Sequence, residues 1–562
     1  MDVLRACLGF PKQDVFESVN VTDLPLNHAY ILANTGMDEV GVYTLADDCI
    51  GCPYSLRQRL HSGLNHSWAV DAGVPSTWRL MNTAHADTLT ARSGLICQFR
   101  PTLGEYGVYR LDIGECNLVP ALDHINIYLP LVCWCLLIAA GYGLAVAARV
   151  MLNRRRSAED PEQGDEKSIK PTVEVVKMPT LYVVRGLLLS TIIFLTTGGG
   201  GYTVLTRDWF GYTLAECLFY AYVWTVGVKI PTTVDQAYAL GYTKCNVFTD
   251  ILKRSFCLIL IGTVINSTVA SELTADTQGL WWPLQRMGIA YLVTATAYAV
   301  TVQKFEMDSK SILCKAIANV VSLIWCWIIT GFLFAVQVIA ISTFLSFNCE
   351  SNLGLKNPTL DLEITDKSNS CTRHYEMTRL VNQVFMATPT TIIFVNSYYG
   401  FSKGFLGILG TIIQCMMGLK AGAVYRHHSD HGDRLMLWGI WATLFAAGGV
   451  VIAGLAVPFQ FNLWPLSTLI LLSTTAMLIF VVFYVAVEYM KIIEMNVLRS
   501  VGVTSLVVLS GHVLFSKSFP LNFGNLVTFR THFEMLFQNI WIVSLWLVIG
   551  VLLMKKRVQF SI

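Results

Sequence analysis

Runs of about 20 apolar residues recur along almost the whole of this 562-residue chain, and a run of that length is what an α-helix needs to cross the hydrocarbon core of a bilayer. They fall near residues 124–150, 183–201, 209–231, 251–270, 283–303, 317–345, 404–425, 434–456, 464–487, 498–515 and 537–554. Only 14% of the residues are charged, against about 25% in soluble globular proteins, too few to cover a water-exposed surface. The expected fold is an all-α polytopic membrane bundle of about eleven transmembrane helices, preceded by an N-terminal β-rich domain on the lumenal side. The segment Ala387–Tyr399 is apolar but short, and reads as re-entrant or interfacial.

Four segments follow: residues 1–123, a β-rich lumenal domain; 124–150, the first transmembrane helix; 151–179, a cytosolic linker; and 180–562, the multi-span domain. In the first, Tyr109, Leu111 and Ile113 alternate with Val108, Arg110 and Asp112, the period-two pattern of a half-buried strand. Ile31–Leu45 is similar, broken by Gly36 and Gly41. Cys49, Cys52, Cys97 and Cys116 lie here with Cys7, alongside the glycosylation sequons at Asn20 and Asn65. Cysteines and sequons together point to an oxidising compartment and disulfides, with three pairings open among the four cysteines. A metal site is disfavoured because Cys97 and Cys116 do not form a C-x-x-C pair. The first ten residues contain no signal-peptide core. A folded domain before the first span leads to the expectation that the natural chain begins upstream.

Arg149 and Arg154–Arg156 follow the first span and by the positive-inside rule face the cytosol. The polar stretch Ser157–Lys177 behind them is a solvated linker. The basic residues between later spans fit the same alternation. Cys349 and Cys371 in the long loop 347–385, and the sequon at Asn266, fit its lumenal side. The C-terminus, with Lys555, Lys556 and Arg557, is then cytosolic. Membrane lipid is the expected surround. Nucleic acid is set aside as a partner, because the basic residues are scattered in short clusters between apolar runs and no aromatic-basic stripe is present. No internal repeat of the kind many transporters carry is visible.

Polar residues within spans are costly and therefore informative. Gly198-Gly-Gly-Gly201 lets backbone approach either a ligand or a neighbouring helix. Arg207-Asp208 reads as an interfacial ion pair or a ligand-orienting pair. Gln285 and Arg286 open a span and either clamp an anion or snorkel to the interface. Lys229 either meets a phosphate at the cytosolic mouth or snorkels. His512 is a general acid or base, or a hydrogen-bonded structural histidine. His427, His428 and His431 read as a hydrophilic turn rather than a metal site, and no metal is expected.

In these and further segments the chain resembles the heparan-α-glucosaminide N-acetyltransferases, lysosomal multi-span enzymes within a broader group of membrane acyltransferases. The resemblance runs through Cys97-Gln-Phe-Arg100, Gly104-Glu-Tyr-Gly-Val-Tyr109, Arg185-Gly186, Gly198-Gly-Gly200 with Tyr202, and Leu284-Gln-Arg-Met-Gly-Ile-Ala-Tyr291. It continues through Gly407-Ile-Leu-Gly-Thr-Ile412, Gly418-Leu-Lys-Ala-Gly422, Asn462-Leu-Trp464, Gly511-His512 and Phe519-Pro520. It implies transfer of acetyl from cytosolic acetyl-CoA, as co-substrate, to the amine of a terminal glucosamine of heparan sulfate in the lysosomal lumen. The implied partners are acetyl-CoA and a heparan-derived glycan, with a homodimer as an open assembly. Catalytic roles then fall to His512, Asp208 and Arg207, and cofactor binding to Gly198, Gly199, Gly200, Gln285, Arg286 and Lys229. The chain departs from the family pattern at Thr196, Tyr182, Ile413 and Thr504, and lacks the family's histidine before Trp209. Either Asp208 or His512 takes over as base, or the fold persists in a homologue that binds CoA or glycan without turnover. A transporter is the remaining alternative.

Overall fold

A computed structural model describes residues 2–17, 19–37, 39–47, 54–82, 95–159, 178–207, 213–269, 283–301, 312–346, 405–455, 466–491, 495–516, 518, 523 and 529–557. Asp208, Cys49, Cys52, Cys349, Cys371 and the segment Ala387–Tyr399 lie outside these residues.

The chain opens with a short helix, α1 (Asp2–Leu8), and a small hairpin of β1 (Val15–Phe16) and β2 (Val19–Asn20). Eight further strands follow: β3 (His28–Asn34), β4 (Glu39–Ala46), β5 (Ser55–His61), β6 (Asn65–Asp71), β7 (Ser76–Asn82), β8 (Leu95–Phe99), β9 (Val108–Asp112) and β10 (Asn117–Leu122). They form two four-stranded sheets, ordered β10-β9-β3-β6 and β5-β4-β7-β8. Pairing is antiparallel except between β3 and β9. Ala29, Ile31 and Ala33 from one sheet and Val40, Val42, Trp78 and Leu80 from the other meet in one buried core. The domain is therefore a sandwich whose inner faces are set by alternation along each strand. Tyr109 and Leu111 face that core as their alternation requires, but Val108 is also buried. It packs on the outer face with Val21, Leu24, Tyr106 and Ile125, where the chain passes from the sandwich to the helices.

Cys97 bonds Cys116, and Cys7 bonds Cys133, which lies in the first turns of α2 (Leu129–Glu159). The second bond ties α1 to the helix of the first expected span, a partner outside the cysteines of the β-rich domain. Of the three sequons, Asn20 and Asn65 are exposed, whereas Asn266 is 1% exposed and so does not stand at a surface. Closing the 19-residue Cys97–Cys116 separation restricts the unfolded chain by about 3 kcal/mol. Cys97→Ser is accordingly expected to lower the melting temperature of the sandwich in non-reducing buffer. An unchanged melting temperature would count against that contribution.

The bundle comprises α3 (Pro179–Thr196), a short α4 (Thr203–Thr206), α5 (Leu214–Ala239), α6 (Lys244–Val269), α7 (Pro283–Thr301), α8 (Ile312–Ser322) and α9 (Ile324–Ser346). Then come α10 (Phe405–His427), α11 (His431–Leu455), α12 (Leu466–Tyr484), α13 (Asn496–Val503), α14 (Ser505–Phe515) and α15 (His532–Lys555). Among the described residues, five helices are long and apolar enough to cross a membrane, or seven if each bent pair counts as one. The expected spans near 209–231, 251–270 and 283–303 are present as α5, α6 and α7, but buried polar residues such as Glu216, Asn266 and Arg286 interrupt them. The expected continuous helices at 317–345 and 498–515 are each broken, by 70° between α8 and α9 and by 77° between α13 and α14. At both breaks a hydroxyl bonds back to the helix: Ser322 donates to the Asn319 carbonyl at 3.0 Å and Thr504 to the Ser500 carbonyl at 3.0 Å. Such back-bonds bend helices by competing with the backbone ladder.

Helices α5 and α10 lie in direct backbone contact. A Cβ on Gly418 or Gly422 would collide with the carbonyls of Trp224 and Val228, and one on Gly227 with that of Cys415. Helices α3 and α13 approach in the same way through Gly186 and Gly502. Small residues that admit a neighbouring backbone are the general means of packing helices in membranes.

Candidate active site

Helix α3 ends beside the sandwich in the glycine run. Gly198, Gly199, Gly200 and Gly201 all have positive φ, at 117°, 53°, 72° and 77°, a sequence of conformations that only glycine adopts without strain. The turn is held from two sides. With its side-chain amide oriented so that donors face acceptors, Asn539 of α15 accepts from the N–H groups of Gly199 and Gly200 at 2.9 and 2.6 Å and donates to the Thr197 carbonyl at 3.1 Å. The Asn27 amide of the sandwich donates to the Gly201 carbonyl at 2.8 Å. His532, the first residue of α15, contacts the Gly200 carbonyl through Nδ1 at 2.9 Å and Glu105 through Nε2 at 2.7 Å. Tyr202 stacks on the His532 ring, with centroids 4.4 Å apart. Tyr202 donates to the Ile127 carbonyl and Tyr106 to the Arg530 carbonyl. Burial raises the pKa of both phenols, that of Tyr202 to about 12, so both stay protonated donors.

Two residues before this turn, at the last position of α3, Thr196 meets His512. The His512 Nε2 lies 3.2 Å from Thr196 Oγ1, and that hydroxyl also donates to the Ile192 carbonyl at 2.8 Å. Its proton is thus directed into its own helix, and its oxygen accepts from the histidine. His512 is then the neutral tautomer protonated at Nε2. Its Nδ1 is buried and has no hydrogen-bond partner among the described residues. The 77° break at Thr504 turns α14 so that His512 reaches α3, and Trp546 of α15 packs edge-on against its ring.

The other expected site residues occupy two levels. At the sandwich end, Arg286 is fully buried with its guanidinium 5.7 Å from the centre of the Phe219 ring. Gln285 donates to Thr263 at 3.0 Å and so joins α6 to α7. Arg207 closes the short helix α4. Thr213 and Glu216 form a capping box that starts α5 close by. Toward the opposite end, the Lys229 ammonium sits 5.7 Å from the Tyr182 ring centre and within the fields of Arg185 and Arg254. Arg185 is 2% exposed and donates to the Thr225 hydroxyl and carbonyl at 3.1 and 3.0 Å. Arg254 lies near the Tyr291 hydroxyl. Three cations gathered inside a bundle repel one another, and an anion among them relieves that repulsion. Thr196 and Arg185 are separated by about 16 Å along α3 at 1.5 Å per residue.

The structure thus joins Gly198–Gly200 to His512 through Thr196, assigns the Gly199 and Gly200 N–H groups to Asn539, and places Lys229 on the lower level with Arg185 and Arg254. His431 turns its Nδ1 to the Tyr484 hydroxyl at 2.6 Å. Reasoning from sequence overlooked Thr196 as a contributor, along with Glu105, Asn27, His532, Asn539, Arg185 and Arg254. His532 and Asn539 did carry a signal: two polar residues seven apart, hence on one face, in a predominantly apolar helix.

No profile of a known protein family matches the chain. Two full-length proteins do. The heparan-alpha-glucosaminide N-acetyltransferase of Mus musculus is 22% identical over 626 aligned positions, covering 100% of this chain and 93% of that protein. That of Homo sapiens is 22% identical over 610, covering 96% and 89%. The similarity spans sandwich and bundle together, and the chain is a distant relative of the heparan-alpha-glucosaminide N-acetyltransferases.

Proposed function

We propose that this chain transfers the acetyl group of acetyl-CoA, bound from the cytosolic end of the bundle, to the amine of a terminal glucosamine of heparan sulfate presented at the sandwich end. The observation that carries this reading is the buried His512 with an unprotonated, unpartnered Nδ1 beside the glycine turn. A general base needs an available lone pair within reach of the reacting amine. In the reaction the amine nitrogen bonds the thioester carbon and the C–S bond breaks. The amine proton passes to His512, and the CoA thiolate takes up a proton as it leaves. Lys229, Arg185 and Arg254 are the residues suited to CoA phosphates. An extended pantetheine arm suits the distance from them to Thr196 along α3. Gln285 and Arg286 are the polar groups suited to the sugar or the thioester oxygen, and Arg207 closes α4 at the same end. The disulfides of the sandwich and the distribution of arginines and lysines support residence in the lysosomal membrane, with the sandwich in the lumen and the C-terminus in the cytosol.

The test is transfer from labelled acetyl-CoA to glucosamine and to a heparan-derived fragment by the purified chain in detergent. Transfer above a no-enzyme control is expected. A folded sample that CoA stabilises but that transfers nothing would leave a CoA-binding homologue instead. Lys229→Ala and Arg254→Ala are each expected to raise KM for acetyl-CoA by about 10- to 100-fold with kcat much less affected, because each removes a charge-assisted contact. Unchanged KM in both variants would move the cofactor elsewhere.

A further inference from the structure

The contact between sandwich and bundle contains a proton that its two central groups do not hold when separated at neutral pH. His532 is 1% exposed and Glu105 3% exposed. The Gly200 carbonyl is only an acceptor, so His532 Nδ1 at 2.9 Å must carry a hydrogen. At the opposite ring nitrogen, Nε2 faces the Glu105 carboxyl at 2.7 Å. A neutral imidazole protonated at Nδ1 presents a lone pair there, and an ionised carboxylate presents another. Two lone pairs at that distance repel. The contact is a hydrogen bond only if one further proton lies between them, on either partner. The second carboxyl oxygen of Glu105 is already engaged, accepting from the Asn27 N–H at 3.1 Å.

We propose that Glu105 and His532 are positioning residues that hold the glycine turn, and through it Thr196 against His512, by means of this shared proton. The turn is therefore held in acid and released as the pH rises. Linkage gives the sign. The docked joint binds one proton more than the opened one, so the docking constant is highest at low pH. The separated groups give up that proton first, and from there the constant falls up to tenfold per pH unit until the docked pair releases it as well.

Other titratable and charged groups surround the pair. Arg530 lies just before α15, with its N–H on the Glu534 carboxylate at 2.9 Å and its guanidinium 3.9 Å from Asp23. From the sandwich side come Tyr106, His28, whose Nδ1 meets the Leu26 carbonyl at 2.8 Å, and His124, which packs over Gly104. Tyr202 stacks on the ring, and Tyr128 and Cys135 of the α2 region lie around Tyr202. Arg5 of α1 is paired with Asp14. His28 and His124 are further imidazoles close to the pair, so pH dependence alone does not identify it, and substitutions that remove only the shared proton are required.

Glu105→Gln does this. Its amide N–H can donate to the Nε2 lone pair of a neutral His532, while its oxygen still accepts from Asn27. His532→Gln removes the proton from the other side and keeps a donor for Gly200. Hydrogen exchange at residues 198–206 of the full chain in detergent is measured between about pH 5 and about pH 8 for wild type and each variant. Taking the ratio at each pH cancels the intrinsic pH dependence of exchange. The wild-type rate is expected to rise relative to Glu105→Gln by up to about tenfold per pH unit between the release point of the separated groups and that of the docked pair. A constant ratio for a folded variant overturns the proposal. Should neither variant fold, wild-type protection of these amides that is flat after intrinsic correction overturns it, and protection falling with pH supports it. The activity arm rests on the proposed acetyl transfer: kcat should fall at high pH in wild type and flatten in Glu105→Gln. The exchange arm does not use that reading, so loss of protection without transfer activity would reject the enzyme and keep the joint.

Discussion

His512→Ala is expected to lower acetyl transfer by about 10²- to 10⁴-fold, the usual contribution of a positioned general base. The loss should appear in kcat and kcat/KM together, since the proton moves only in the transition state. KM for acetyl-CoA should change little, because Lys229, Arg185 and Arg254 stand at the other level of the bundle. Thr196→Val, which keeps shape but removes the oxygen that accepts from Nε2, is expected to give a smaller loss in the same direction by freeing the tautomer and the ring. Thr196→Ser should retain most activity. His512→Ala with wild-type kcat would transfer the base role elsewhere, and Asp208 would become the residue to replace next. Melting temperatures of all variants must be compared, since His512 also packs against Trp546.

The largest structural effect is expected at the seam between α5 and α10. Gly418→Leu places a whole side chain where the Trp224 carbonyl of α5 already lies. The helices must separate, and the interleaved contacts at Gly422 and Gly227 open with them. Overpacking of a filled interior commonly costs about 1–3 kcal/mol. Here no flexible side chain can yield, because the obstacle is backbone, so the cost exceeds that range. Set against a total stability of about 5–15 kcal/mol, this is enough to lose the folded protein. The expected readout is aggregation, or loss of the monodisperse peak on size exclusion in detergent. Gly418→Ala should be intermediate, with a lowered melting temperature. A Gly418→Leu sample that melts like wild type would show that the seam does not hold α5 and α10 together. A loss at this seam also bears on function, because Lys229 and Trp224 belong to the same stretch of α5.

Much of the architecture follows from local pattern. Apolar runs of span length give helices whatever their neighbours, because the pattern is a property of each segment. The alternation at Tyr109 and Leu111 likewise identifies β9 and its buried face. Local pattern also marked His512 as costly where it stands, and the glycine run as a place of close approach. It could not show that Gly199 and Gly200 turn their N–H groups to an asparagine more than 300 residues away. Nor could it show that Thr504 and Ser322 break helices whose hydropathy is continuous.

What the sequence determined by itself was thus the membrane bundle, the β-rich domain and the identity of the polar residues that must be explained. What only the tertiary structure decided was their partners: Cys7 with Cys133, Thr196 with His512, and Glu105 with His532. The physical reason is that helix and strand periodicity arise from bonds between residues close in the chain. These pairings join positions 126 to 427 residues apart, and such contacts exist only once the sandwich has docked and the helices have closed around α3.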